Sequence, residues 1–113
     1  MKPIKFHVYK ADLNPRFGTE PGKIRPVIVV QTNLLNENHP STIICPITTK
    51  IQLGADILRI HLKKGEAGLE HDSDIIVDQI RSIDNRRFLD HLGAISDKNK
   101  RLLLSSLRIV ILE

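Results

Sequence analysis

The sequence is poor in aromatic residues and in cysteine. It has three Phe, one Tyr and no Trp among 113 residues, so its core must be built mainly from Ile, Leu and Val. The single cysteine, Cys45, excludes an intramolecular disulfide and any zinc site made of cysteines. The composition therefore favours an aliphatic domain without disulfides.

Long apolar runs and a strong excess of one charge are also missing. The longest apolar runs cover residues 27–30 and 109–112, far short of the roughly 20 residues of a transmembrane helix. The N-terminus has no apolar segment typical of a signal peptide. We therefore expect a soluble, cytoplasmic protein without a membrane partner. The formal net charge of +4 is compatible with a polyanionic partner but does not demonstrate one.

The length of the chain fits a single domain, which we predict to span residues 1–113. Runs of β-branched and aliphatic residues alternate with segments rich in Gly, Pro and Asn, as in proteins built from short strands. The predicted strands cover residues 4–13, 24–31, 42–48, 57–62 and 74–80. The predicted loops between them cover residues 14–23, 32–41 and 63–73.

One predicted strand has the pattern of a fully buried strand. Residues 27–30 are all β-branched, which is typical of a strand buried on both faces. Pro26 stands just before them and cannot donate a ladder hydrogen bond. It should therefore mark the start of the strand or a sheet edge.

The C-terminal region has a different pattern. Residues 98–107 contain four Leu and neither Gly nor Pro, and Ser96 is placed to cap a helix of about 10 residues. Residues 108–112 would be either a last strand or an extension of that helix. Five or more short strands followed by one helix indicate a mainly β fold, a small, strongly bent antiparallel sheet or partly open barrel.

Two polar segments are interpreted as solvated surface. In residues 57–62, Arg59 and His61 share one face of the predicted strand. Residues 66–74 are acidic but lack the periodic oxygen ligands of a calcium loop. No two histidines stand at a close spacing usual for metal ligands. We therefore expect neither a metal site nor a cofactor.

Three polar residues stand in the first loop or at the ends of predicted strands: Glu20, Arg25 and Thr48. An arginine at the root of a buried strand could hold a phosphate through two parallel hydrogen bonds. A loop carboxylate could take the proton of a ribose 2′-hydroxyl, and a threonine hydroxyl could stabilise the developing oxyanion. Such a set would suffice to cleave RNA without a metal. All three residues also have ordinary structural uses, so the triplet alone does not establish this function.

Several short motifs follow one another along the chain. The first are Asp12-Leu13-Asn14-Pro15, Gly18-Thr19-Glu20 and the run Lys-Ile-Arg-Pro-Val-Ile-Val at residues 23–29. Later ones are Pro46-Ile47-Thr48-Thr49, Gly68-Leu69 leading to Asp72-Ser73, residues 78–84 and Leu92-Gly93-Ala94-Ile95. No single block is specific. In this order and spacing, over nearly the whole chain, the set resembles the MazF/PemK toxins of type II toxin–antitoxin systems.

The resemblance implies an SH3-like barrel of the CcdB/PemK type with a C-terminal helix, assembled as a homodimer. It implies a sequence-specific, metal-independent endoribonuclease that cleaves single-stranded RNA, with messenger RNA as the expected substrate. The reaction would leave a 2′,3′-cyclic phosphate and a 5′-hydroxyl. The implied protein partner is an antitoxin whose acidic, initially disordered tail folds over the basic RNA groove.

The resemblance also assigns roles to residues. Arg25 would bind the phosphate and catalyse, Thr48 would stabilise the transition-state phosphate, and Glu20 would help as general base. The implied RNA-binding residues are Lys23, Thr49, Gln79, Arg81 and Ser82. One motif departs from the family, which commonly has Gly-Asp where this chain has Phe6-His7. We expect that departure to affect the geometry of a loop and the RNA sequence that is cleaved, and not the catalytic residues.

Three other functions stay open. A gyrase poison of the CcdB type shares the fold but would act through a C-terminal aromatic residue, which residues 109–113 lack. A non-catalytic RNA-binding barrel would need exposed aromatic residues on which bases stack. An inactivated toxin kept as a regulator is the third, although Glu20, Arg25 and Thr48 are all present.

Overall fold

A computed structural model of the chain describes residues 2–15, 17–19 and 23–113. These residues form one antiparallel sheet with strands β1 (His7–Asp12), β2 (Ile24–Val29), β3 (Ser41–Thr48), β4 (Arg59–Leu62), β5 (Ser73–Ile76), β6 (Arg81–Asp84) and β7 (Phe88–Ala94). A one-turn helix, α1 (Asn33–Asn36), precedes β3, and a long helix, α2 (Asp97–Leu112), follows β7. The prediction of a mainly β fold with a C-terminal helix is confirmed.

Strand β3 lies inside the sheet and has neighbours on both edges. The strand order is β4-β5-β3-β2-β1-β7, and β6 also pairs with β3. On one edge, β5 pairs with Ile47 and Thr48, while β6 pairs with residues 41–44. On the other edge, β2 pairs with residues 44–46. The C-terminal end of β3 therefore lies between β2 and β5.

Apolar side chains pack against both faces of the central strands. On one face Ile28 belongs to a core that also contains Leu103 of α2. On the other face Val27 shares a second core with Ile44. Residues 27–29 are fully buried, which confirms the prediction of a strand covered on both sides. Pro26 lies near the start of β2, one residue before the pairing with β3 begins, as predicted.

Helix α2 begins at Asp97, one residue before the predicted start, and ends at Leu112. Ser96 caps it by accepting a hydrogen bond from the Asn99 backbone N–H at 3.2 Å. Residues 108–112 continue the helix, so the extension is the correct alternative. Among the described residues, no helix has both the length and the apolar character needed to cross a membrane.

Other predicted boundaries are wrong in detail. The predicted strand 74–80 stops at Ile76 and is followed by a 3-10 turn, Val77–Gln79. The predicted strand 57–62 begins only at Arg59, and the predicted strand 4–13 begins at His7. Strands β6 and β7 were not predicted. Most β7 side chains are exposed, so this segment becomes a strand through its pairing with β1 rather than through local preference.

The acidic segment 66–74 is not merely a solvated loop, contrary to the prediction. The Glu66 carboxylate accepts hydrogen bonds from the Ser96 backbone N–H at 3.0 Å and from the Asn99 amide at 3.0 and 2.9 Å. Asp74 is fully buried within β5. The first carboxylate therefore ties the Glu66–Gly68 turn to the start of α2, and the second lies inside the sheet.

Gly68 allows this turn to approach the sheet closely. Its φ is +73°, and an added Cβ would lie 2.5 Å from the carbonyl oxygen of Leu92 in β7. A larger residue would therefore clash with β7 backbone as well as strain its own conformation.

Candidate active site

The neighbouring ends of β2 and β3 form an open cleft of about 280 Å³. The described residues that line it are Ile24, Arg25, Pro26, Ile47, Thr48, Thr49, Lys50 and Ser73. The two strands pair Val27 with Pro46. Continuing that register by two residues places Arg25 opposite Thr48, and directly opposite residues of antiparallel strands project to the same face. The structure thus brings together three of the predicted site residues, Arg25, Thr48 and Thr49.

Arg25 is held by the sheet rather than by a loop. It pairs with Ala11 of β1, whose short buried side chain leaves room beside the half-buried arginine. The backbone just before β2 is also fixed, because the Leu13 N–H donates to the Lys23 carbonyl at 2.9 Å. A guanidinium on such a support can present two parallel N–H groups to a phosphate at little entropic cost.

The Thr48 hydroxyl has a defined local partner. Its oxygen accepts a hydrogen bond from the Lys50 backbone N–H at 3.1 Å. Because this bond uses a lone pair of the oxygen, the hydroxyl proton remains available for an acceptor in the cleft. Thr48 can therefore donate to an anionic oxygen.

The cleft has a positive electrostatic character. Among the described residues that line it, Arg25 and Lys50 carry positive charge and none carries negative charge. Sequence reasoning missed Lys50 and Ser73. The position of Lys50 directly after the Thr48-Thr49 motif could have indicated it. The buried Ser73 reaches the cleft only through the pairing of β5 with β3, which no local pattern shows.

The other predicted RNA-binding residues do not line this cleft. Lys23 is exposed just before β2, and its N–H donates to the Asn14 side chain at 2.8 Å. Gln79 closes the turn between β5 and β6. Arg81 pairs with Ile44, and Ser82 pairs with Ile43. Since successive strand residues point to opposite faces, Arg81 and Ser82 cannot both face the same side of the sheet.

Glu20 lies outside the described residues, so the structure does not locate it. The described parts of its loop are held at both sides. The Asn14 N–H donates to the Asp12 carboxylate at 3.0 Å. The Arg87 guanidinium donates to the Asp12 carbonyl at 2.9 Å and also to the Asn14 carbonyl. The loop thus leaves and rejoins the sheet beside Arg25.

A buried polar cluster lies beside the cleft. The Asp74 carboxylate, with no exposed side-chain surface, accepts hydrogen bonds from Arg59 at 3.1 Å and from His61 at 2.5 Å. Arg59 is largely buried in this ion pair, so the interpretation of a solvated face is wrong for it, whereas His61 remains 43% exposed. Both side chains contact a carboxylate of the neighbouring strand β5, which stands where the acidic segment 66–74 meets the predicted strand 74–80.

The family model of the PemK-like, MazF-like toxins of type II toxin–antitoxin systems matches residues 4–111. The chain belongs to this family. The toxin is 37% identical over 91 residues to the endoribonuclease EndoA of Bacillus subtilis, an alignment that covers 80% of this chain and 78% of EndoA.

Solved structures show the same fold. MazF from Deinococcus radiodurans superposes on the toxin with a TM-score of 0.84 at 20% identity, covering 98% of this chain and 97% of that one. A mycobacterial endoribonuclease solved with its cognate antitoxin gives a TM-score of 0.76 at 16% identity, covering 97% and 93%. At such low identity these two matches support the fold alone.

Proposed function

We propose that this toxin is an endoribonuclease that cleaves single-stranded RNA, with messenger RNA as its substrate, and that the cleft of Arg25 and Thr48 performs the reaction. The observation that supports this most directly is that these two side chains line one open, cationic cleft. Family membership and the resemblance to an endoribonuclease point to the same chemistry.

The proposed reaction is an internal transesterification. The ribose 2′-oxygen forms a bond to phosphorus while the bond from phosphorus to the 5′-oxygen breaks, which leaves a 2′,3′-cyclic phosphate and a 5′-hydroxyl. Arg25 holds the phosphate and, with Thr48 as hydrogen-bond donor, stabilises the charge that develops on its oxygens. Glu20 takes the proton from the 2′-hydroxyl, and the 5′-oxygen takes a proton from a water molecule as it leaves. These groups together supply the required charge stabilisation and proton transfer without a metal or cofactor.

We further propose that the RNA strand extends from the cleft towards the predicted binding residues outside it. Arg81 of β6 is half-buried beside Ile44, so only the exposed part of its side chain would meet the RNA. Thr49 in the cleft, and Lys23, Gln79 and Ser82 outside it, complete the proposed binding residues.

Partners follow from the same reasoning. One structural relative is an endoribonuclease bound to its cognate antitoxin, and we propose that an antitoxin with an acidic, disordered tail covers the cationic cleft of this toxin.

We also propose a homodimer, since α2 exposes Leu104, Ile111 and Leu112 at 45%, 53% and 77% of their surface. The proposed location is the cytoplasm, where messenger RNA is translated.

The decisive experiment incubates the purified toxin with long RNA in EDTA and maps the new 5′ ends. We expect cuts at a short recurring sequence. Arg25→Ala should lower the rate by about 100-fold or more, since it removes a donor to the developing charge. Arg86→Ala is the matched control, because it removes an arginine that is 91% exposed and outside the cleft. Intact RNA across several substrates, or cleavage that requires a divalent ion, would refute the proposal.

Thr48→Ala tests how the hydroxyl acts. If it donates mainly in the transition state, the rate of the chemical step should fall far more than the affinity for RNA. Thr48→Ser keeps a hydroxyl at the same position and should retain most of the rate. Equal losses of rate and affinity in Thr48→Ala would instead assign the hydroxyl to ground-state binding.

A further inference from the structure

We propose that Asp74 is a positioning residue for the active site. Acting with Arg59, it holds the turn after β3 and thereby fixes the orientation of the Thr48 hydroxyl. This inference rests on the proposed function, because it assumes that Thr48 acts on RNA. Asp74 itself does not line the cleft.

Asp74 lies at a position where a strand does not favour aspartate. It occupies the second residue of β5, directly between Thr48 of β3 and His61 of β4 in the pairing. Its side chain has no exposed surface. Aspartate is depleted in strands, and burying an ionised carboxylate is unfavourable unless it is paired and hydrogen-bonded. A β-branched apolar residue would suit this strand position better, so the presence of a carboxylate here needs another explanation.

The partners of Asp74 supply that reason. Its Oδ2 accepts a hydrogen bond from the Gln52 backbone N–H at 2.9 Å and one from Arg59 Nη1 at 3.1 Å. The same Arg59 nitrogen donates to the Lys50 carbonyl at 3.1 Å. Two points of the turn after β3 are therefore attached to one buried ion pair.

The turn after β3 also contacts the proposed catalytic hydroxyl of Thr48. The Lys50 N–H donates to Thr48 Oγ1 at 3.1 Å, and this bond determines which direction remains for the hydroxyl proton. Arg59 holds the carbonyl of the same residue whose N–H holds Thr48. A short series of hydrogen bonds thus runs from Asp74 through Arg59 and Lys50 to Thr48. Moving Lys50 would turn the hydroxyl away from the phosphate.

Asp74→Asn tests the link while preserving size. One carboxylate oxygen becomes an NH2 group, so the side chain loses its charge and one of the two oxygens that Gln52, Arg59 and His61 contact. We expect the rate of RNA cleavage at saturating RNA to fall by about 10- to 100-fold with little change in KM, since an error of about 1 Å in a reacting group costs up to about 100-fold. Asp97→Asn, which removes a carboxylate that is 85% exposed on α2, should leave the rate unchanged.

A double-mutant cycle separates positioning from general damage. If Asp74 acts through Thr48, Asp74→Asn should have no further effect on the residual rate of Thr48→Ala. Arg59→Met provides a second variant should Asp74→Asn fold poorly, because it keeps an apolar stem but cannot donate to Lys50. It should show the same loss of rate and the same lack of effect in Thr48→Ala.

A measurement without RNA completes the test. Amide hydrogen exchange at Lys50 and Gln52 should accelerate in Asp74→Asn and in Arg59→Met, while amides in α2 keep their protection. Full activity of both variants, or losses that multiply with that of Thr48→Ala, would overturn the inference even if Arg25→Ala is inactive. No cleavage by the parent toxin would refute the proposed function instead. In that case unchanged exchange at Lys50 and Gln52 would separately refute the hydrogen-bonded link.

Discussion

Two aspartate–arginine pairs lie beside opposite ends of β3. Asp74 of β5 stands next to Thr48 and bonds Arg59 at 3.1 Å, whereas Asp84 of β6 stands next to Ser41 and bonds Arg86 at 2.9 Å. The distances are similar but the surroundings differ. The side chains of the first pair are 0% and 16% exposed, and those of the second are 43% and 91% exposed.

The difference shows that surroundings, more than distance, determine what such a pair can do. Arg86 lowers the pKa of Asp84 to about 2, mainly through its side-chain and backbone hydrogen bonds. Water and counterions can replace those bonds, so the exposed pair shapes only its own turn. The carboxylate of the buried pair has no contact with solvent, and its partners also hold the turn beside the cleft. Breaking it must therefore leave polar groups unsatisfied.

Asp74→Ala should have the largest effect on stability. Removing one partner of a buried ion pair leaves the other charge uncompensated, and we expect the free energy of unfolding to fall by about 3–5 kcal/mol. Urea denaturation monitored by circular dichroism measures it. Replacing both partners, as in Asp74→Leu with Arg59→Met, should restore much of the loss because no charge is left buried. A loss in Asp74→Ala no larger than that in Asp84→Ala would contradict the contrast between the pairs.

Replacement of Glu66 tests a carboxylate that is neither fully buried like Asp74 nor part of a solvent-exposed pair like Asp84. Glu66 is half-buried, and its carboxylate joins the turn before β5 to the start of α2 through Ser96 and Asn99. Glu66→Ala leaves the Asn99 amide without this acceptor and removes a negative group from a helix N-terminus. We expect a loss of about 1–2 kcal/mol in the free energy of unfolding, again by urea denaturation. Glu70→Ala, which removes an exposed carboxylate nearby, is the control. An equal loss of unfolding free energy in both variants would argue against a stabilising link between Glu66 and α2.

The sequence alone predicts those parts of the molecule that local patterns determine. The run at residues 27–29 is β-branched because both faces of β2 are covered, and Ser96 marks the start of α2 because a capping hydroxyl is needed there. These features require no knowledge of distant partners.

The parts that sequence reasoning missed depend on pairing. Strand β7 consists mostly of exposed residues and is fixed by its neighbour β1. Asp74 stands where the acidic segment 66–74 meets the predicted strand 74–80, and only the register of β5 against β3 brings it beside Thr48. For the site itself, the motifs indicated Arg25 and Thr48, whereas Lys50 and Ser73 became evident only from the cleft.

Asp84→Asn should have the smallest effect, and its pH dependence follows from the lowered pKa. The folded state favours the ionised carboxylate, so any stabilisation is present above the usual pKa of 3.8 and is lost as the pH falls towards about 2. Urea midpoints of the parent and of Asp84→Asn should therefore differ slightly at pH 5, and this difference should shrink as the pH falls through about 2. Adding 1 M salt at pH 5 should reduce the difference as well, since the pair is exposed to solvent. A difference that is undiminished at pH 2 and in salt would show that Asp84 does not act through its charge, and the contrast with Asp74 would then not rest on how well each pair is shielded from solvent.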